Sequence, residues 1–280
     1  MGKKAEIAII GGSGFYNLFE EAETMFVDTP FGVTPKISIA EIHGKKVAFL
    51  PRHARPGSDE IKHEVPPHKI NYRANIYGLF TLGVERIIST SASGSLNKLM
   101  KPGDLVVIDQ FIDFTKSRVY TFYDGEIPIK VLPDKPPMAK VVHIDVTQPY
   151  CPEIRRITLD VCADLNIKCH ERGTYAATEG PRFETPAEIN AIKTMGGDLV
   201  GMTNVPEVVL ARELGICYAT IAIVTNWAAG IQSKVSHEEV IEIFAKRIGD
   251  VRKIFLETIK RLPKKRSCNC KDLIREAIMD

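Results

Sequence analysis

Four short runs in this chain carry residue types able to grip a small anion, and each one follows an apolar stretch. They are Gly11-Gly12-Ser13-Gly14, Arg52-His53, Ser91-Ala92-Ser93-Gly94-Ser95 and Thr225-Asn226. In a glycine-rich turn neighbouring backbone N–H groups point outward together, and with the Ser13 hydroxyl they can hold an oxyanion. Arg52 adds a fork of charged donors suited to phosphate, and His53, Ser91 and Thr203 can complete the shell. Each run also has a plainer reading. The glycines alone make a tight strand-to-loop turn, and an Arg-His pair by itself is more often a solvated surface pair. A dinucleotide fingerprint needs a third glycine after Gly12 and Gly14, where Asn17 stands, so a Rossmann cofactor site fits poorly. No acidic residue is convincingly placed for a ribose either, which disfavours a nucleotide-dependent oxidoreductase.

These runs can meet only if the stretches before them lie side by side. Ala5 to Gly11, Lys46 to Pro51, Val84 to Thr90, Asp104 to Asp109 and Ile216 to Thr225 read as strands, several apolar throughout as strands buried on both faces are. Amphipathic stretches alternate with them. His68 to Leu82 has helical spacing and stops at Gly83, while Thr185-Pro186-Ala187-Glu188 supplies an N-cap, a first-turn proline and a capping-box acid. Another helix opens at Pro206 and closes at Gly215. Ser236-His237-Glu238-Glu239 reads as a further capping box, heading a helix that runs to about Leu262 before the basic tail Pro263 to Arg266. The expected architecture is α/β: one domain over residues 1–280, a central mixed, mostly parallel twisted sheet flanked by helices, and a polar tail from about residue 263. Such sheets bind ligands at the carboxyl ends of their strands, where all four runs fall. The polar, turn-rich stretches Arg55 to Pro67 and Tyr123 to Pro137 are candidate lids or subunit contacts.

Composition limits the partners. The 280 residues are 44% hydrophobic and 26% charged, ordinary for a chain that buries a full core. Its 37 basic and 35 acidic residues are well mixed, which leaves no patch suggesting nucleic acid or anionic lipid and favours a small ligand. No apolar run reaches the roughly 18 residues needed to span a bilayer. The N-terminal residues show no cleavage site, so no membrane partner and a cytoplasmic location are expected. Cys151, Cys162, Cys169 and Cys217 are scattered without C-x-x-C spacing, and a metal site is not expected from them. Cys268-Asn269-Cys270 admits two readings, a strained disulfide or two free thiols.

The segment Thr178-Glu179-Gly180-Pro181-Arg182-Phe183-Glu184-Thr185-Pro186-Ala187-Glu188, followed by Gly201-Met202-Thr203-Asn204-Val205-Pro206-Glu207, resembles the trimeric purine nucleoside phosphorylase and methylthioadenosine phosphorylase family. Further matches run in order from the Gly-Gly-Ser-Gly loop through Pro51-Arg52-His53, His68 to Ile76, Pro102-Gly103-Asp104 and Val205 to Val208 to the final capped helix. The resemblance implies the nucleoside phosphorylase fold and phosphorolysis of purine nucleosides to free base and pentose 1-phosphate. It implies a phosphate site of Ser13, Arg52, His53, Ser91, Ala92 and Thr203. Ala92 and Met202 would line the ribose, Phe183 would pack on the base, and Ala228 would lie beside the substrate. No metal or organic cofactor is implied, inorganic phosphate being the co-substrate. It further implies a homotrimer or dimer of trimers, with His143 reaching a neighbour's active site.

Two residues bear on the base. A 6-oxopurine offers N1–H as donor and O6 as acceptor, and adenine reverses both. Ionised Glu184 suits N1–H, and Asn226 can donate to O6 while accepting N7–H from the departing base. The resemblance places aspartate at Asn226 and a small residue at Glu184 in members that prefer 6-aminopurines, so this chain is expected to prefer hypoxanthine and guanine. Each residue alone has a commoner explanation, a helix N-terminal acid and a turn residue. His237 matches a histidine that contacts the 5′-hydroxyl, which favours inosine and guanosine. Val240 and Ile241 can still line an apolar 5′ pocket, and the chain as a whole looks closer to the methylthioadenosine branch. S-methyl-5′-thioinosine or S-methyl-5′-thioadenosine is therefore the alternative substrate. From another class, a nucleoside-binding protein without catalysis remains.

Overall fold

Eleven strands make one mixed sheet in the computed structural model, which describes residues 4–12, 19 and 22–278. In chain order they are β1 (Ile7–Gly11), β2 (Glu23–Met25), β3 (Ile37–Ile42), β4 (Lys45–Pro51), β5 (Arg86–Ser95) and β6 (Leu105–Val107). Then come β7 (Gln110–Asp113), β8 (Cys169–His170), β9 (Thr174–Ala177), β10 (Leu199–Gly201) and β11 (Cys217–Trp227). The main path runs β8-β6-β11-β5-β1-β4-β3-β2, with β10 joined to β5 and β9 joining β10 to β7. At its centre β4, β1, β5 and β11 are parallel, so their carboxyl ends, and the runs that follow, share one edge.

Helices cover both faces: α1 (Tyr72–Thr81), α2 (Pro152–Asp164), α3 (Pro186–Thr194), α4 (Asn204–Glu213), α5 (His237–Arg261) and α6 (Leu273–Ala277). Because side chains alternate along a strand, β1 feeds two cores. Ile7 and Ile9 join Val161 of α2 and Val251 and Phe255 of α5, while Ala8 and Ile10 join Ile76 of α1, Val208 of α4 and Ile274 of α6. Each fully buried Ile or Val contributes on the order of 1.5–3 kcal/mol, which fixes the sheet between its helical layers. No described helix is long and apolar enough to cross a membrane.

Several expected boundaries move. The third strand does not stop at Thr90. It continues through Ser95, because β11 pairs it as far as Trp227 and β10 pairs Gly94 and Ser95 from another side. A register shift between Val224 and Asn226 marks a bulge there, the device that re-aims a side chain next to a site. The first helix starts at Tyr72, after a separate turn at Pro67–Lys69, with the Asn71 side chain capping Ala74. Thr185 and Glu188 form the expected reciprocal box. At α5 only half of one forms: Ser236 accepts from the Glu239 N–H, but the Glu239 carboxylate accepts from Gln232 instead. The cysteines also converge more than their spacing implies. The sulfurs of Cys151, Cys217, Cys268 and Cys270 all lie within 4.8 Å of one another, and all six cysteines are free thiols.

Candidate active site

At the shared edge lies a cavity of about 790 Å³, within the range of about 300–1,000 Å³ typical of small-molecule sites. Gly12, Arg52, His53, Ser91, Ala92 and Thr203 line one part of it; Phe183, Glu184, Met202, Asn226 and Ala228 line another. His237 lines it as well, with Val240, Ile241 and Phe244 of α5. Ser13 falls outside the described residues. His143 is exposed and is not among the residues lining this cavity.

Arg52 does not present the open fork its sequence context suggests. Its Nε and Nη2 donate to the Glu207 carboxylate at 3.0 and 2.7 Å, Nη2 also to Ser89 Oγ at 2.6 Å, and Nη1 to the Thr90 carbonyl at 2.8 Å. Of five N–H groups, one on Nη1 is left for a ligand. Tyr218 donates to Glu207 Oε1, the oxygen that also accepts from Arg52 Nη2, and both members of the ion pair are almost wholly buried. Burial opposes the Arg52 charge, but Glu207 more than offsets it and raises the guanidinium pKa above its ordinary value. Glu207 belongs to the recognised Val-Pro-Glu run, yet nothing in that run says which arginine it meets.

His53 is fixed by its own loop. Val65 N–H donates to the His53 carbonyl at 2.8 Å, and His53 Nδ1 bonds the Val65 carbonyl at 2.8 Å. A carbonyl only accepts, so Nδ1 carries the hydrogen. The His63 ring stacks on His53 at 3.9 Å, 14° from parallel. Burial, with His63 and Arg52 close by, pushes the His53 pKa down to about 3. His63 itself lines the cavity. It sits in the Arg55 to Pro67 stretch, whose polar, turn-rich composition was the available signal.

Two residues without obvious sequence signals hold the remaining parts together. The Tyr175 hydroxyl lies 3.3 Å from Ser91 Oγ and accepts from Thr203 N–H at 3.3 Å. A Cβ at Gly201 would come within 2.2 Å of that hydroxyl, so glycine there lets β10 approach. Arg118, buried, donates through Nη1 to the carbonyls of Met202 and Val205, both at 2.7 Å. Through Nη2 it reaches the carbonyls of Thr178 and Glu179. It thereby ties the segment leading to Phe183 and Glu184 to the one carrying Met202 and Thr203.

Glu184 accepts from the Thr178 hydroxyl at 2.6 Å on Oε1, and burial pushes its pKa up. Asn226 Oδ1 accepts from the Thr225 hydroxyl and Nδ2 donates to the Trp227 carbonyl, each at 2.9 Å. One amide hydrogen and one lone pair of Asn226 remain. The cavity thus offers a polar end for an anion, an exposed aromatic face at Phe183, and a donor-acceptor pair suited to a flat heterocycle.

Residues 6–260 match the family described as the phosphorylase superfamily. The chain is 52% identical over 274 residues to the 6-oxopurine nucleoside phosphorylase of Pyrococcus furiosus, covering 97% of this chain and 98% of that protein. It is 45% identical over 271 residues to the S-methyl-5′-thioadenosine phosphorylase of the same organism, covering 96% and 98%. Similarity is therefore higher to the 6-oxopurine relative, which corrects the expectation of a closer tie to the methylthioadenosine branch. Among solved structures, a methylthioadenosine phosphorylase from an antarctic soil metagenomic library superposes with a TM-score of 0.86 at 35% identity, covering 99% of this chain and 93% of that one.

Proposed function

The chain belongs to the phosphorylase superfamily, and from that premise we infer that it splits purine nucleosides by phosphorolysis, yielding free base and pentose 1-phosphate, with a preference for 6-oxopurines. One observation carries the base preference: Glu184 and Asn226 line the same cavity as Arg52, His53, Ser91 and Thr203. In this reading inorganic phosphate lies against the last four residues and Gly12, beneath C1′ of the nucleoside. The base packs on Phe183, with the ribose between Ala92 and Met202 and Ala228 alongside. Glu184 Oε2 accepts N1–H. Asn226 donates its remaining amide hydrogen to O6, and its remaining lone pair accepts N7–H as negative charge on the leaving purine is neutralised. Donors placed where charge develops stabilise the transition state more than the ground state. Inorganic phosphate is the co-substrate and no further cofactor is required. The active assembly is a homotrimer or dimer of trimers, with His143 reaching a neighbour.

A second substrate class has an observation in its favour. Beyond His237 the cavity is walled by Val240, Ile241 and Phe244, an apolar surface that suits a 5′-methylthio group, so S-methyl-5′-thioinosine is an additional substrate in this reading. The test is a panel of inosine, guanosine, adenosine, methylthioinosine and methylthioadenosine assayed with phosphate. A mismatched buried polar group costs about 1–3 kcal/mol, and two mismatches give inosine a kcat/KM at least ~30-fold above adenosine. Equal values for the two would overturn the base assignment.

A further inference from the structure

The anion end of the cavity has little positive charge to offer. Among the described residues that line it, Arg52 is the one lysine or arginine, and Glu207 neutralises it through two hydrogen bonds. Selection of an anion there must come from the pattern of donors and acceptors. Arg52 contributes a single Nη1–H and Thr203 a hydroxyl, while the Ser91 hydroxyl donates to the Ala92 carbonyl at 3.2 Å.

His53 differs from these donors. Its Nδ1–H is committed to the Val65 carbonyl, whose own residue bonds back to His53 through Val65 N–H. The ring is neutral, and the hydrogen bond it makes among the described residues is through Nδ1, leaving Nε2 for a ligand. A neutral imidazole hydrogen-bonded through Nδ1–H presents a lone pair at Nε2. Moving the proton to Nε2 would set the Nδ1 lone pair against the Val65 carbonyl, turning the ring over would replace that hydrogen bond by a C–H contact, and the His63 ring stacked 3.9 Å away confines it further. His53 therefore meets a ligand as an acceptor.

We propose that His53 Nε2 accepts a hydrogen bond from the O–H of a protonated tetrahedral oxyanion, so that the subsite selects hydrogen phosphate and hydrogen arsenate over oxyanions of the same shape and charge that carry no proton. This deepens, and rests on, the reading of the cavity as a phosphorylase site. An oxyanion without a proton faces the Nε2 lone pair with its own, a mismatch between two acceptors. A protonated one turns its O–H to His53, leaving its three unprotonated oxygens to the donors and to C1′. The proton is parked away from the attacking oxygen.

Monofluorophosphate is the discriminating probe, because at pH 7.5 it is a dianion with the shape of hydrogen phosphate and fluorine in place of the hydroxyl. Sulfate is the second. Calorimetric titration of the full-length protein with phosphate, monofluorophosphate and sulfate, at matched ionic strength, gives the selectivity directly. Phosphate is expected to bind at least roughly 10-fold more tightly than either probe, and arsenate is expected to replace phosphate in inosine cleavage. In His53→Phe the ratio collapses to within about threefold, chiefly through weaker phosphate binding. In His53→Gln, whose amide oxygen can accept, part of the ratio returns; a merely structural role would not reproduce that order. If monofluorophosphate binds the unsubstituted protein as tightly as phosphate while phosphate still drives inosine cleavage, the selection is wrong and the phosphorylase reading stands. If phosphate neither binds nor drives cleavage, both fall.

Discussion

In the proposed reading Glu184 and Asn226, which both line the cavity, distinguish the base by hydrogen-bond polarity, and exchanging them tests that assignment. The double variant Glu184→Ser with Asn226→Asp is expected to raise adenosine turnover relative to inosine by at least ~10-fold; an unchanged kcat/KM ratio would show that neither side chain touches the purine edge. Protonation matters at the same place. Burial raises the Glu184 pKa, and only the ionised carboxylate leaves Oε2 as a pure acceptor for N1–H. As pH falls through that raised value, the KM for inosine is expected to rise, and 1-methylinosine, which has no N1–H, is expected not to show this dependence. Sequence placed both residues at this site through the family resemblance, and both line the cavity. The inward turn of Arg52 was not legible there, since its partner Glu207 lies 155 residues away and it is the packing of α4 against α1 and β11 that carries Glu207 into the core.

At the scale of elements, the site depends on loops held by buried charges. Arg118→Met removes the guanidinium that gathers the Thr178, Glu179, Met202 and Val205 carbonyls. Each acceptor left unpaired costs about 1–3 kcal/mol, so a marked fall in Tm together with loss of kcat/KM is expected, measured by thermal unfolding and inosine assay. Glu213 in α4 binds the next loop, accepting from the Thr121 hydroxyl at 2.7 Å and Phe122 N–H at 2.8 Å. Burial pushes its pKa from 4.5 to about 7. The folded state therefore holds a proton that the unfolded state has lost, and this group's contribution to stability falls as pH rises from about 4.5 to about 7, then levels off. Replacing Glu213 by Gln is expected to flatten that part of the Tm-against-pH curve. The apolar strands β1, β4 and β11 could be read directly, as could the caps of α3. Strand β5 beyond Thr90 could not, because Ser-Ala-Ser-Gly-Ser has weak strand propensity and only its partners on two sides extend it. The two- to four-residue strands β7 to β10 are too short for any period to show.

Across the whole molecule, the C-terminal tail ties the layers together. Ser267 donates to buried Glu153 in α2 through N–H and hydroxyl, and Arg266 donates to the Gly215 carbonyl at 2.7 Å. Cys268 and Cys270 close over Cys151 and Cys217. Sequence marked this tail as polar and basic, and gave no sign that it docks on the core formed with α2 and α5, since the contacts are all long-range. Deleting residues after Leu262 is expected to lower Tm and to make Cys151 and Cys217 reactive towards a thiol reagent in the folded protein; unchanged protection would contradict the docking. Everything functional depends on one convergence, an anion and a purine nucleoside in the same cavity. The most direct measurement follows inosine with and without inorganic phosphate and quantifies hypoxanthine and ribose 1-phosphate. Cleavage that needs phosphate and yields the two products in equal amounts is the expected result; hypoxanthine released at the same rate without phosphate, or no cleavage at all, would contradict it.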